Sequence, residues 1–310
     1  MVDGRDKFKV AVVMPALNEA ESVAQVIRGI RDAFSKSVVP VVIDIVVVDG
    51  NSTDGTVSSA KAEGAQVIIQ KNTGYGNALY SGFLYCLDEL NSDIICTIDA
   101  DGSYDPEALV TGVSELVGDR LDLVVCARVP DVGAMSAINR LGNRLISALV
   151  KVILGIKVSD SQSGMFVFWS NLVDNIHPKV RGWAFNTEVL TRALESEYRI
   201  GEIRVRYKKR VGNSKLFVAT GGLVNIGVIL RMFRDSRPLL FHGTIAVVLL
   251  LSAILTGIEA IIKGSQLFAI LTTLVALAGV QILTFGLVAD MIKDIRTGRL
   301  KKAVPYRKAE

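Results

Sequence analysis

Short β-branched apolar runs alternate with amphipathic stretches through the first two thirds of the chain. Residues 9–14 (Lys-Val-Ala-Val-Val-Met) have the pattern of a buried strand. That run stops at Pro15, Ala16, Leu17, Asn18 and Glu19. Asn18 has the chemistry of an N-cap, and Val23, Val26, Ile27, Ile30 and Phe34 follow at helical spacing. Residues 41–48, 65–69 and 94–98 predict three more strands, with helices between them, one of them over about 78–89. Residues 123–127 predict a further strand, and an amphipathic segment runs from 136 to 154. Such alternation implies an α/β domain, a mostly parallel sheet with helices on both faces. Beyond Pro238 the pattern changes. Residues 239–262 and 267–289 are apolar over lengths that can cross a membrane at about 20 residues per helix, and the short polar turn at 263–266 makes them a hairpin.

Polar clusters fall where the predicted strands end: Asn18–Glu19, residues 49–56, and Asp99-Ala100-Asp101-Gly102. In an open α/β sheet, ligands bind outside the carboxyl ends of the strands. Asp99 and Asp101 end a buried run, where isolated carboxylates are costly unless positive charge is at hand. Mg²⁺ on a diphosphate would supply it, since that ion takes one or two carboxylates plus substrate phosphates. A solvated turn is the alternative, because Asp-Gly and Asp-Pro also form ordinary turns. The number of such clusters on one edge favours a nucleotide site. The first turn lacks Gly-x-Gly-x-x-Gly and no Gly-Lys-Ser/Thr follows a glycine loop, which argues against a dinucleotide-binding domain and a P-loop NTPase. With two histidines, His177 and His242, a histidine zinc site or a Ser-His-Asp triad is not expected. The three cysteines lie in apolar surroundings and read as reduced core residues.

Taken in order, residues 15–19, 47–56 and 99–101 resemble the signature of family 2 glycosyltransferases of the GT-A fold. Residues 160–166, 185–188 and 210–216 resemble its polyprenyl-phosphate branch, the dolichyl-phosphate mannose and glucose synthases. The resemblance covers roughly residues 9–240. Gly50 departs from it, standing where many relatives have a second acidic residue, as does Met165, where Phe is usual. The resemblance implies that Pro15, Asn18, Glu19, Asp49 and Asp54 hold the base and ribose. It implies that Asp99 and Asp101 face the diphosphate and bind Mg²⁺ or Mn²⁺, Asp101 being the main ligand. For Asp54 an Asx-turn or helix cap is an equal alternative.

Arg128, at the end of the 123–127 strand, Arg140 and Arg144 form a candidate cluster for a lipid phosphate, since guanidinium forks suit phosphate oxygens. Arg144 reads better as a helix-surface charge. Arg204, Arg206, Lys208, Lys209 and Arg210 form a basic run. Arg210 and Lys215 lie within the matched motif and are expected to contact donor or acceptor phosphates. Asp160 would orient either a sugar hydroxyl or an arginine, and Glu188 is as well explained by a structural ion pair. A phosphate monoester is already anionic near neutral pH, its second pKa being about 6, so the acceptor can attack the anomeric carbon without a strong general base.

Half of the residues are hydrophobic, and the excess is concentrated after Pro238. Four regions are expected: a catalytic domain over 1–216, interfacial amphipathic helices over 217–237, a transmembrane hairpin over 238–290 and a basic tail over 291–310. The short charged N-terminus has no signal-peptide apolar region. Basic residues flank the hairpin while Lys263 alone sits in its turn, so the positive-inside rule places the catalytic domain and both termini in the cytoplasm. The expectation is a membrane-bound inverting glycosyltransferase that moves one sugar from UDP-glucose, UDP-N-acetylglucosamine or GDP-mannose to dolichyl or polyprenyl phosphate. Its partners would be that donor, the lipid acceptor and the bilayer, with no nucleic acid; a homo-oligomer is compatible with the sequence. Rivals are a processive polysaccharide synthase, whose Gln-x-x-Arg-Trp motif is not matched, and a non-catalytic nucleotide-binding membrane scaffold.

Overall fold

A computed structural model describes residues 7–155, 158–176, 178, 182, 184–212 and 218–301. The chain divides into two compact units, the first ending at Val228 and the second starting at Ile229. In the first unit, strands β1 (Phe8–Ala16), β2 (Val41–Asp49), β3 (Gln66–Ile69) and β4 (Ile94–Thr97) alternate with helices α1 (Val23–Ser35), α2 (Thr56–Ala62) and α3 (Tyr75–Asp88). Then follow α4 (Glu107–Gly118), β5 (Leu123–Pro130), α5 (Ala137–Leu154), β6 (Phe166–Trp169), α6 (Asn171–Ile176), α7 (Phe185–Glu195) and β7 (Ile200–Tyr207). Helix α8 (Val218–Ser236) leads out of this unit.

The strands form one seven-stranded sheet in the order β3-β2-β1-β4-β6-β5-β7. Every pairing is parallel except those of β6, which runs antiparallel to both β4 and β5. The expected mostly parallel sheet is therefore present, with one reversed strand that the sequence pattern did not announce. That reversal matters for the site. It leaves β1, β2, β4, β5 and β7 pointing the same way, so their carboxyl ends share one edge, and it brings the start of β6 to that edge too.

The core lies on both faces of the central strands. Val10 to Met14 of β1 are almost wholly buried, as are Ile94, Ile95 and Cys96 of β4 and Phe166 to Phe168 of β6. Helix α3 crosses β1 so closely that a Cβ on Gly82 would lie 2.4 Å from a methyl of Val13. Edge strand β7 alternates charged Glu202, Arg204 and Arg206 with Ile203 and Val205. Charges along an exposed edge discourage pairing with another chain; the basic run of the sequence is in part this strand.

In the second unit, α9 (Pro238–Lys263) and α10 (Gln266–Lys301) pack as an antiparallel hairpin. Both are long and apolar enough to cross a membrane. Small residues line their contact: Ala246 and Ala253 are buried, a Cβ on Gly279 would meet Leu250 at 3.1 Å, and the Thr272 hydroxyl donates to Thr256 Oγ1 at 3.0 Å. Small side chains and a hydroxyl pair are how apolar helices approach each other in lipid. Helix α10 continues past the apolar stretch to Lys301, a span without proline.

Candidate active site

The site is built around the end of β4. The Thr97 hydroxyl donates to the Gly164 carbonyl at 2.8 Å and accepts from the Phe166 amide at 2.9 Å. This clamps the start of β6 beneath Asp99. A Cβ on Gly164 would lie 2.7 Å from Asp99 Oδ2 and 3.0 Å from the Tyr75 hydroxyl. Tyr75, at the first turn of α3, donates its hydroxyl to Asp99 Oδ1 at 3.2 Å. Burial and then the charge of Asp101 push the Asp99 carboxyl up to about 7, against the opposing pull of Tyr75, Arg128 and Arg210. A carboxylate held this way carries negative charge that its surroundings only partly balance.

Asp101 is buried, and its Oδ1 accepts from the Ser103 amide at 2.9 Å. Gly102 between them has φ +73°, a left-handed conformation in which a side chain would be strained. Arg210 reaches in from the segment after β7. Its Nη1 stands 3.5 Å from Asp101 Oδ2 and its Nη2 donates to Glu19 Oε1 at 2.8 Å. The backbone holds that segment in place, the Lys208 amide donating to the Ser103 carbonyl at 2.7 Å and the Val211 amide to the Asp101 carbonyl at 2.9 Å.

The loops after β1 and β2 are tied to each other. The Asn18 amide donates to Ser52 Oγ and the Thr53 amide to Asn18 Oδ1, both at 2.8 Å. Asn18 has φ +51° and is not the cap of α1, which starts at Val23 after Ser22. The side chain instead serves the loop, a use that local helix signals do not reveal. The Glu19 amide donates to Thr56 Oγ1 at 2.8 Å. Asp54 accepts from the Thr56 amide at 3.0 Å on one oxygen and from the Ala20 amide at 3.2 Å on the other, so its carboxylate fastens the two loops together. Pro15 lies in β1 opposite Val48. Asp49 is buried; its Oδ2 accepts from the Ser52 amide at 2.9 Å, and its Oδ1 has no partner among the described residues. Gln70 Oε1 is likewise buried and unpartnered. Buried acceptors of this kind call for a donor that the described residues do not supply.

At the end of β5, Arg128 makes a two-pronged pair with Asp160: Nε to Oδ2 at 2.7 Å and Nη2 to Oδ1 at 2.9 Å. Its guanidinium lies 5.5 Å from the centre of the Tyr207 ring. Of the two tasks open to Asp160, holding an arginine is the one this geometry displays. Arg140 is half-buried on α5 with its Nε unpartnered, whereas Arg144 is exposed. Glu188 pairs with Arg192 one turn along α7 at 3.0 Å. Lys215 lies outside the described residues. The fold therefore links Glu19, Asp101 and Arg210 directly and sets Asp99 beside them, where its carboxyl feels both Arg210 and the Arg128 that pairs with Asp160. Tyr75 and Gly164 belong to the same group and were not singled out from the sequence; each lies inside a polar stretch whose importance was visible, but their roles depend on how β6 turns back.

Among the described residues no cluster of three or more His, Cys, Asp and Glu could hold a metal alone. Two carboxylates on one loop, with Asp99 insufficiently balanced, are a donor set suited to a hard cation that also takes substrate phosphates.

Sheet order, the reversed strand and the acidic strand end define a GT-A-like domain. The family model for glycosyl transferase family 2 matches residues 11–176, and the chain belongs to that family. It is 25% identical to glycosyltransferase AglJ of Haloferax volcanii over 94% of this chain and 96% of that one. It is 30% identical to a dolichyl-phosphate hexose transferase of the same organism, over 68% of this chain and 88% of the other. Among solved structures, glucosyl-3-phosphoglycerate synthase of Mycobacterium tuberculosis, with Mn²⁺, UDP and glucosyl-3-phosphoglycerate, matches with TM-score 0.57 and 22% identity over 72% of this chain and 79% of that one. That likeness concerns the fold. The protein is a glycosyltransferase.

Proposed function

We propose that this glycosyltransferase moves a single sugar from a nucleoside diphosphate sugar to a polyprenyl phosphate, the lipid phosphate acting as nucleophile. The observation that carries the reading is the group at the end of β4, in which Asp101, Arg210 and Glu19 are linked while Asp99 stays short of compensating charge. The similarity to a dolichyl-phosphate hexose transferase and the two membrane-length helices support a lipid acceptor.

Each residue then has a task. Asp49 Oδ1, buried and unpartnered, accepts a donor from the nucleotide base. Asn18, Pro15 and Asp54 shape the loops that enclose base and ribose. Asp99 and Asp101 would hold Mg²⁺ or Mn²⁺, which when bound supplies positive charge to the departing diphosphate. Arg210 is close enough to the same group to share that charge with it. Arg128, kept rigid by Asp160 and Tyr207, and Arg140 receive the acceptor phosphate, and Lys215 contacts a phosphate of the donor or of the acceptor. The enzyme's work is to bring two anions together and orient them for in-line attack, which inverts the anomeric centre. The hairpin keeps the catalytic unit at the bilayer that contains its acceptor, with that unit and both termini on the cytoplasmic side.

The test is a transfer assay with full-length protein in detergent, a long-chain polyprenyl phosphate, Mg²⁺ or Mn²⁺ and a panel of labelled UDP- and GDP-sugars. Metal-dependent label in the organic phase, lost in Asp101→Asn, is the expected result. Label in a water-soluble polymer would support the polysaccharide synthase reading, and nucleotide binding without transfer from any donor would support the scaffold.

A further inference from the structure

Tyr104 follows Asp101 by three residues and is buried. Its hydroxyl accepts from the Gly164 amide at 2.7 Å and lies 3.2 Å from Ser163 Oγ. Ser163 Oγ donates its one hydrogen to the Cys126 carbonyl at 2.6 Å, so Tyr104 is the donor of that pair. A directed chain thus runs from the Gly164 amide, through two hydroxyls, to the backbone of β5 two residues before Arg128. The ring of the same tyrosine has a second contact. It meets the Tyr207 ring edge-on, with centroids 5.1 Å apart and planes at 81°, and an isolated antiparallel bridge joins the two residues. Tyr207 in turn lies beneath the Arg128 guanidinium, whose carbon is 5.5 Å from the ring centre.

We infer that Tyr104 is a positioning residue that keeps the two ends of the reaction in register: its hydroxyl sets Gly164 beneath Asp99, on the diphosphate side, and its ring sets Tyr207 beneath Arg128, on the acceptor side. A Cβ on Gly164 would lie 2.7 Å from Asp99 Oδ2, so any shift of the Gly164 peptide moves the floor under that carboxylate. The geometry requires a tyrosine. Phe would keep the ring but leave the buried Gly164 amide without its acceptor, at the full cost of desolvating that group. Ser or Thr would supply an oxygen without a ring to meet Tyr207, and Trp offers a donor only. Because the loop that carries Asp99 and Asp101 also carries Tyr104, one side chain ties that loop to the start of β6 and the end of β7. The acceptor half of the inference rests on the polyprenyl phosphate reading above; the Asp99 half does not.

Full-length protein in detergent would be titrated calorimetrically with Mn²⁺ in the presence of UDP or GDP, whichever the wild type binds, and assayed for transfer to a long-chain polyprenyl phosphate. Tyr104→Phe should weaken Mn²⁺ binding by about fivefold and lower kcat by about tenfold, with the acceptor KM kept within about twofold. Tyr104→Leu, which removes the ring as well, should raise the acceptor KM by a further factor of about five. Should that variant fail to fold, Tyr207→Leu takes its place, with the acceptor KM raised and Mn²⁺ affinity near that of the wild type. Leu116→Ala, buried in the last turn of α4, should lose stability and keep both Mn²⁺ affinity and acceptor KM. Wild-type Mn²⁺ affinity and kcat in Tyr104→Phe would overturn the role of the hydroxyl, as would the same losses in Leu116→Ala. An acceptor KM in Tyr104→Leu no higher than in Tyr104→Phe, or one unchanged in Tyr207→Leu, would overturn the role of the ring. If the wild type binds Mn²⁺ and nucleotide but transfers to no polyprenyl phosphate, the acceptor reading fails and the role of the ring with it, while the titration still decides that of the hydroxyl.

Discussion

Gly164→Ala tests the site geometry without touching a charged group. The added methyl would stand 2.7 Å from Asp99 Oδ2, 0.7 Å inside the 3.4 Å at which ordinary contact begins. Asp99 cannot simply swing aside, because its other oxygen is held by the Tyr75 hydroxyl, itself 3.0 Å from the new methyl. The carboxylate must therefore move by several tenths of an ångström. Misplacement of a reacting group by about 1 Å can cost on the order of 100-fold in rate, so a loss of roughly 10- to 100-fold in kcat is expected. Gly164 is not in the left-handed region, so the fold loses only the overpacking cost, about 1–3 kcal/mol. Initial transfer rates, thermal unfolding and calorimetric titration of Mn²⁺ in the presence of nucleoside diphosphate would be measured together. Adding Tyr75→Phe, which removes one of the crowded atoms, should recover part of the lost metal affinity. Wild-type kcat and wild-type metal affinity in Gly164→Ala would refute the idea that this glycine sets the position of Asp99.

Two further outcomes follow from the same geometry. Folding raises the Asp99 carboxyl from 3.8 to about 7, so between those values the metal-free folded protein retains a proton that the unfolded chain has released. Its stability should fall as pH rises from 4 to 7, by at most about 1.4 kcal/mol per unit, and less than that in practice because part of the carboxyl still meets solvent. Asp99→Asn should be inactive yet more stable than the parent at pH 8 in chelator, with a flatter pH dependence; parallel unfolding curves for the two proteins would contradict this. Asp49→Asn replaces a free acceptor by a group that can present a donor. It should raise KM for the nucleotide sugar by roughly 10-fold or more with kcat nearly kept, and an unchanged KM would remove Asp49 from the base site.

The strand runs and their acidic ends were legible because they are local. A buried strand needs only its own apolar residues, and the clusters at Asn18, Asp49 and Asp99 follow directly in sequence. What escaped depends on distant pairings. Strand β6 is four residues long and reversed, and it forms because Thr97 binds both Gly164 and Phe166. Arg128 and Asp160 were each singled out, but they lie 32 positions apart, so their pairing could not be read from either motif. Asn18 has helix-cap chemistry, yet the loop from β2 supplies better partners, and α1 begins five residues later. Helix α5 was visible as an amphipathic pattern, but only burial tells which apolar positions face the sheet and which face outward.

The reaction itself is tested most directly by identifying both products of one turnover. Full-length protein would be incubated with its preferred labelled nucleotide sugar and a polyprenyl monophosphate, and the nucleotide and lipid products quantified together. Attack by the lipid phosphate on the anomeric carbon predicts equal amounts of nucleoside diphosphate and of a lipid carrying the sugar on a single phosphate, with the anomeric configuration inverted. Release of nucleoside monophosphate with a sugar-diphosphate lipid, or retention of configuration, would contradict it.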